Sequence, residues 1–97
     1  VIFMERSEIP VVSLSWKQKL ILNILQDEFH GNAFGPQLLK ESENEDIKKM
    51  SINEITWALM RLRDAALVSS EKKTYDGRVL NEYSTTEIVR YGAIEIR

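Results

Sequence analysis

Asn53, Trp57 and Arg61 recur at intervals of four residues. A helix through them would carry an amide, an indole and a guanidinium on one side. That set suits contact with nucleic acid: Arg61 could bridge to guanine or to a phosphate, and Asn53 could pair with adenine. Trp57 with nearby Met60 also suits a protein partner, since aromatic and Met side chains are enriched at interfaces. A second group, Lys72, Lys73 and Arg78, is opposed in its own stretch only by Asp76 and is locally net +2. Cations so placed can meet a phosphate backbone or an adjacent minor groove. Lys17 and Lys19 could touch phosphate too, but a solvated helix face accounts for them better.

Other chemistries find little material. The chain has no cysteine, which removes disulfides, thiolate catalysis and cysteine zinc sites. Its single histidine, His30, adjoins Gly31 and reads as a cap or turn residue. The run Glu41, Glu43, Glu45, Asp46 lacks the Gly and terminal Glu of a calcium loop, and reads as solvated. No phosphate-cradling loop, nucleophile elbow or triad spacing occurs. No enzyme activity, cofactor or metal is expected.

The elements that must position the two groups fit one small domain. At 97 residues, 43% hydrophobic and 29% charged, the chain matches an ordinary globular fold. The net charge of −2 lacks the basic excess usual for phosphate binders. No apolar stretch approaches the roughly 20 residues that span a bilayer, and Glu5, Arg6 and Glu8 interrupt any leader-like pattern. These features predict an intracellular, cytoplasmic module, nucleoid-associated if it binds DNA.

Residues 1–14 form an N-terminal arm, extended or poorly ordered unless a neighbour pins it, and residues 15–97 the domain. From Ser15, a plausible N-cap, Trp16, Leu20, Ile21, Ile24 and Leu25 recur at helical spacing over about 15–29. Gly35-Pro36 opens a second helix through Leu38 and Leu39, because Pro favours the first helical turn. The polar stretch 42–46 ends or loosens it. Ser51-Ile52-Asn53-Glu54 is a capping box, with Met50 and Ile55 as its hydrophobic staple. Ile55, Ala58, Leu59, Leu62 and Ala66 then share one face, so a third helix runs over 51–66. Asn53, Trp57, Met60 and Asp64 fall opposite, with Arg61 beside them.

Beyond it the period shifts to two. The segment 67–75, the dipeptide Asp76-Gly77 and the segment 78–84 predict a hairpin with a type I′ turn. A strict two-residue loop sets Glu71 opposite Glu82, which is unfavourable; the hairpin is therefore better specified than its register. Thr85 or Thr86 can cap a last short helix carrying Ile88, Val89, Ile94 and Ile96.

The expected fold is thus α+β, mainly α: three helices, a two-stranded wing and a short C-terminal helix, in winged helix-turn-helix order. Leu20 to Gly92 resembles the PadR-type winged-helix transcriptional regulators, with MarR-like and ArsR-like modules close behind. The resemblance rests on His30-Gly31, on the helix Ser51-Ile52-Asn53-Glu54-Ile55-Thr56-Trp57-Ala58-Leu59-Met60-Arg61-Leu62, on Ala66-Leu67-Val68 and on Tyr83-Ser84-Thr85-Thr86. The chain departs from the family pattern at Ala66, where the family has Gly, and at Glu54 and Thr56, where it has Thr and Tyr. The family's long dimerisation helix has only Glu87 to Arg97 to occupy.

The resemblance implies a homodimeric regulator of double-stranded DNA, with the 51–66 helix in the major groove and the 69–84 wing on the backbone. Asn53, Trp57, Arg61, Lys72, Lys73 and Arg78 are its expected DNA contacts. The alternative is a winged helix serving as a protein-interaction module in a larger assembly. Apolar residues at both chain ends (Ile9 to Val12 with Leu14 and Trp16, and Ile88, Val89, Tyr91, Ile94, Ile96) predict a dimer patch built from the arm, helix one and the last helix.

Overall fold

The computed structural model describes residues 9–97; the first eight residues of the expected arm lie outside them. The chain is an α+β domain with five helices and a three-stranded antiparallel sheet among the described residues. β1 (Val11–Val12) leads into α1 (Trp16–Asp27), β2 (Asn32–Phe34), α2 (Gly35–Glu41), α3 (Glu45–Lys48) and α4 (Ile52–Asp64). β3 (Val68–Tyr75), β4 (Arg78–Thr85), α5 (Glu87–Arg90) and β5 (Glu95–Ile96) complete it.

α1 and α4 both start at capping boxes. The Ser15 hydroxyl accepts from the Gln18 N–H, and the Gln18 side chain accepts from the Ser15 N–H. Ser51 and Glu54 do the same for α4. Each box satisfies amides that a helix start otherwise leaves unpaired. Both helices then bury one stripe: Ile21, Leu22 and Leu25 from α1, and Ile55, Leu59 and Leu62 from α4. Leu38, Ile47, Leu67, Val68 and Tyr83 close the core around them.

Trp16, expected on the apolar face of α1, is 59% exposed. It occupies the first turn, where a helical side chain leans back toward the N-terminus, and this carries it past the edge of the core. α4 ends two residues sooner than the apolar pattern suggests. Ala66 is exposed rather than buried and has φ +63°. Its N–H donates to Arg63 O and the Leu67 N–H to Leu62 O, both at 2.9 Å. This is the two-bond helix stop that usually takes glycine at the left-handed position.

The polar stretch 42–46 is not simply a solvated connection. Asn44 caps α3 by accepting from the Asp46 and Ile47 amides, and Ile47 is fully buried. Burying that one side chain is worth about 2 kcal/mol, enough to hold a turn its polar neighbours do not specify. Ser42 is buried as well, donating to Glu28 and accepting from the Asn44 N–H.

The hairpin has the strict two-residue turn, with Asp76 at φ +53° and Gly77 at φ +77°, both positive as a type I′ turn requires. β4 is the central strand, between β3 and the short β2 that the sequence pattern does not announce. Asn32 pairs with Ser84 and Phe34 with Glu82.

The chain ends also differ from expectation. The last helix stops at Arg90, Gly92 takes φ +68°, and the tail continues as β5, parallel to β1. Glu95 N donates to Pro10 O, Arg97 N to Val12 O, and Leu14 N to Arg97 O. The described part of the arm is therefore pinned by the C-terminus of its own chain. Thr86 caps no helix with its side chain; its hydroxyl donates to Ala66 O and Leu67 O.

Candidate functional site

With Ile55, Leu59 and Leu62 inward, the 100° step per residue turns Asn53, Trp57 and Asp64 outward and leaves two flanks. One flank, Glu54, Ala58 and Arg61, faces the start of α1. Together with Lys17, Gln18 and Trp57 it lines a groove of about 380 Å³. Trp57 is 58% exposed, and the Arg61 guanidinium carbon stands 5.4 Å from its ring centroid, within range of a cation–π contact. Asn53, Trp57 and Arg61 are therefore brought together, as their spacing predicts.

An ion pair between Lys17 and Glu54 spans this groove and ties α1 to α4. Lys17 and the Ser51 amide hold the Glu54 carboxyl below its ordinary range. Glu54 thus caps α4 and neutralises Lys17, while among the described residues Arg61 enters no ion pair. This cross-helix partnership has no sequence signature, because the two residues lie 37 positions apart.

The opposite flank of α4, Ile52 and Thr56, faces the hairpin. Arg78, the first residue of β4, lies with them, Pro36 and Asn81 around a cleft of about 270 Å³. The expected wing cations separate accordingly. Arg78 is beside α4, whereas Lys72 stands out on the hairpin, opposite Asn81. Lys73 is occupied: its ammonium is 2.9 Å from Glu82 and 3.9 Å from Glu71, and Glu82 chiefly raises its pKa. Thr56 and Asn81 were not among the expected contacts. A helical wheel puts Thr56 on a flank, but not on the flank that meets a strand more than twenty residues later.

His30 takes the left-handed conformation, φ +56°, and Gly31 follows at φ +96°. The Gly31 N–H closes the end of α1 on Leu25 O at 2.8 Å, in keeping with a turn role. Glu41 and Glu43 border a broad depression with Glu28 and His30. Among the described residues no three His, Cys, Asp or Glu side chains converge as metal ligands do, and no helix is long and apolar enough to cross a membrane.

No protein-family model matches the chain, and no curated protein matches it. Among solved structures it is similar to Stf76 from the Sulfolobus islandicus plasmid-virus pSSVx, with a TM-score of 0.53 and 19% sequence identity. The match covers 80% of this chain and 92% of that one. It is a likeness of fold.

Proposed function

We propose that the chain is a winged helix-turn-helix protein that binds double-stranded DNA, a small PadR-like transcriptional regulator without enzymatic activity. In this reading α4 enters the major groove and the β3–β4 hairpin rests on the backbone. One observation carries it: Asn53, Trp57 and Arg61 stand exposed along α4, while Arg78 of the hairpin borders a cleft with Ile52 and Thr56 of the same helix. Side chains suited to base edges and a cation suited to the backbone thereby border the same helix. Lys72 adds a second cation on the hairpin, and Lys73 contributes less because Glu71 and Glu82 already hold it.

Acting as a homodimer, two copies would meet half-sites about 34 Å apart, one helical turn. Selection from random duplexes tests the reading, followed by a salt series on the recovered sequence. Arg61→Ala and Lys72→Ala should each weaken binding and flatten its salt dependence. Recovery of no duplex above background, or a binding constant indifferent to salt, removes DNA as the ligand.

A second reading, a protein-interaction module, draws on the two exposed tryptophans, Trp16 and Trp57, and on the net charge of −2. It takes precedence if the duplex selection fails.

A further inference from the structure

The cleft between α4 and the hairpin has a composition that the α1–α4 groove lacks. Among the described residues its charged side chain is Arg78, and no carboxylate lines it. Among the described residues Arg78 enters no ion pair, in contrast to Lys17 and Lys73. Thr56 and Asn81 line the same space, with Pro36, Ile52 and Leu80 as its apolar walls. The floor is Gly35: a Cβ built there would stand 3.7 Å from Thr56 Oγ1 and 3.8 Å from Ile52 Cδ1. Its absence keeps the bottom of the cleft open beside the hydroxyl.

The strand ladder adds a donor. Thr85 N donates to Gly31 O, so Thr85 and the alternate residues Tyr83 and Asn81 turn their backbone groups toward the β2 side. β2 ends at Phe34, paired with Glu82, and Asn81 lies beyond that end without a strand partner on this edge. A guanidinium, a hydroxyl and a backbone N–H thus border one cleft, and no carboxylate among the described residues lines it.

We infer that this cleft seats one backbone phosphate of the bound duplex, with Arg78 supplying the charge and the Thr56 hydroxyl and the Asn81 N–H the neutral hydrogen bonds. The inference rests on the DNA-binding reading and adds residues to it. A phosphate held on the flank of α4 sets how far the helix rolls about its axis, and so which of Asn53, Trp57 and Arg61 reaches a base edge. Phosphate contacts position a protein; base contacts specify the sequence.

The test is fluorescence anisotropy of the intact chain with a labelled mixed-sequence 20-base-pair duplex, from about 50 to 200 mM salt. Arg78→Ala should weaken binding to every duplex alike and lower the salt slope by about one, so that its penalty over this range shrinks roughly threefold. Arg78→Lys should keep the slope and lose part of the affinity, because the ammonium lacks the planar fork. Thr56→Val should lose roughly two- to tenfold with the slope unchanged. An Arg78→Ala chain that keeps the parent's slope overturns the seat and leaves the DNA-binding reading standing. If the parent binds no duplex, that reading falls, and titration with inorganic pyrophosphate followed by amide NMR decides the cleft separately. Shifts confined to Thr56, Arg78 and Asn81 and lost in Arg78→Ala retain an anion seat; no shift there overturns it.

Discussion

Glu71 and Glu82 stand directly opposite each other in the hairpin ladder, and Lys73 reaches both carboxylates, 2.9 Å from Glu82 and 3.9 Å from Glu71. A cation one ladder step away, on the same face of β3, makes tolerable a like-charge pair that would otherwise disfavour this register. The type I′ turn demands the register, and Lys73 removes its penalty.

Replacing Lys73 with Met should therefore lower the melting temperature at neutral pH and narrow the deficit near pH 4, where glutamates begin to protonate. Glu71→Gln in the same background should restore part of the loss. The sign follows from the native pair. Lys73 has a raised folded pKa, so its contribution is complete below the ordinary lysine value and fades as pH rises through the folded one. Equal pH profiles for parent and Lys73→Met would show that the bridge contributes nothing.

The Lys17–Glu54 pair acts at the opposite end of the scale. The folded pKa of Glu54 is depressed, so its stabilisation is present above the ordinary glutamate value, about 4.3, and is lost as pH falls through the lower folded value. Glu54→Gln keeps a cap acceptor for the Ser51 amide and removes the charge. Urea midpoints measured against pH should fall less steeply in acid for Glu54→Gln than for the parent.

Ala66 stops α4 in a conformation that costs an L-residue roughly 1–2 kcal/mol. Ala66→Gly relieves it, less the added freedom of the unfolded chain, for a net gain of about 1 kcal/mol. In a domain of this size the gain should appear as a rise of roughly 4–8 °C in Tm. Ala66→Val should move Tm the other way.

Trp57 and Arg61 stand outside the core, so Trp57→Ala and Arg61→Ala should alter unfolding free energy by no more than about 0.5 kcal/mol. Loss of ligand binding without loss of stability is the expected signature. A large destabilisation by Trp57→Ala would mean that the indole supports the fold instead.

Ile9, Val11 and Trp16 near one end of the chain and Ile88 and Tyr91 near the other remain exposed, although the two ends satisfy part of each other's backbone. If they form a two-fold interface, sedimentation at micromolar concentration should give a species of twice the 11.3 kDa chain. A clean monomer removes both the dimer and the two-half-site geometry.

What the sequence determined by itself is local. Ser51 and Glu54 are three residues apart and cap each other; Asp76-Gly77 needs only its own backbone to turn; the stripe Ile55, Leu59, Leu62 follows from helical pitch. Each is decided within a turn or two, where closing the contact costs little chain entropy. The outward set Asn53, Trp57 and Arg61 was legible for the same reason.

The tertiary structure alone decided the rest. α3 forms because Ile47 finds a core to enter, and β2 exists because β4 offers it an edge. The arm is ordered at Val11–Val12 because Glu95 and Ile96 return beside it. Lys17 meets Glu54, and Arg78 comes to border one cleft with Thr56, only after α1 and the hairpin dock on opposite flanks of α4. Such contacts join residues more than twenty positions apart, and their loop-closure cost is met by burial summed over the whole core. No short window of sequence contains that sum.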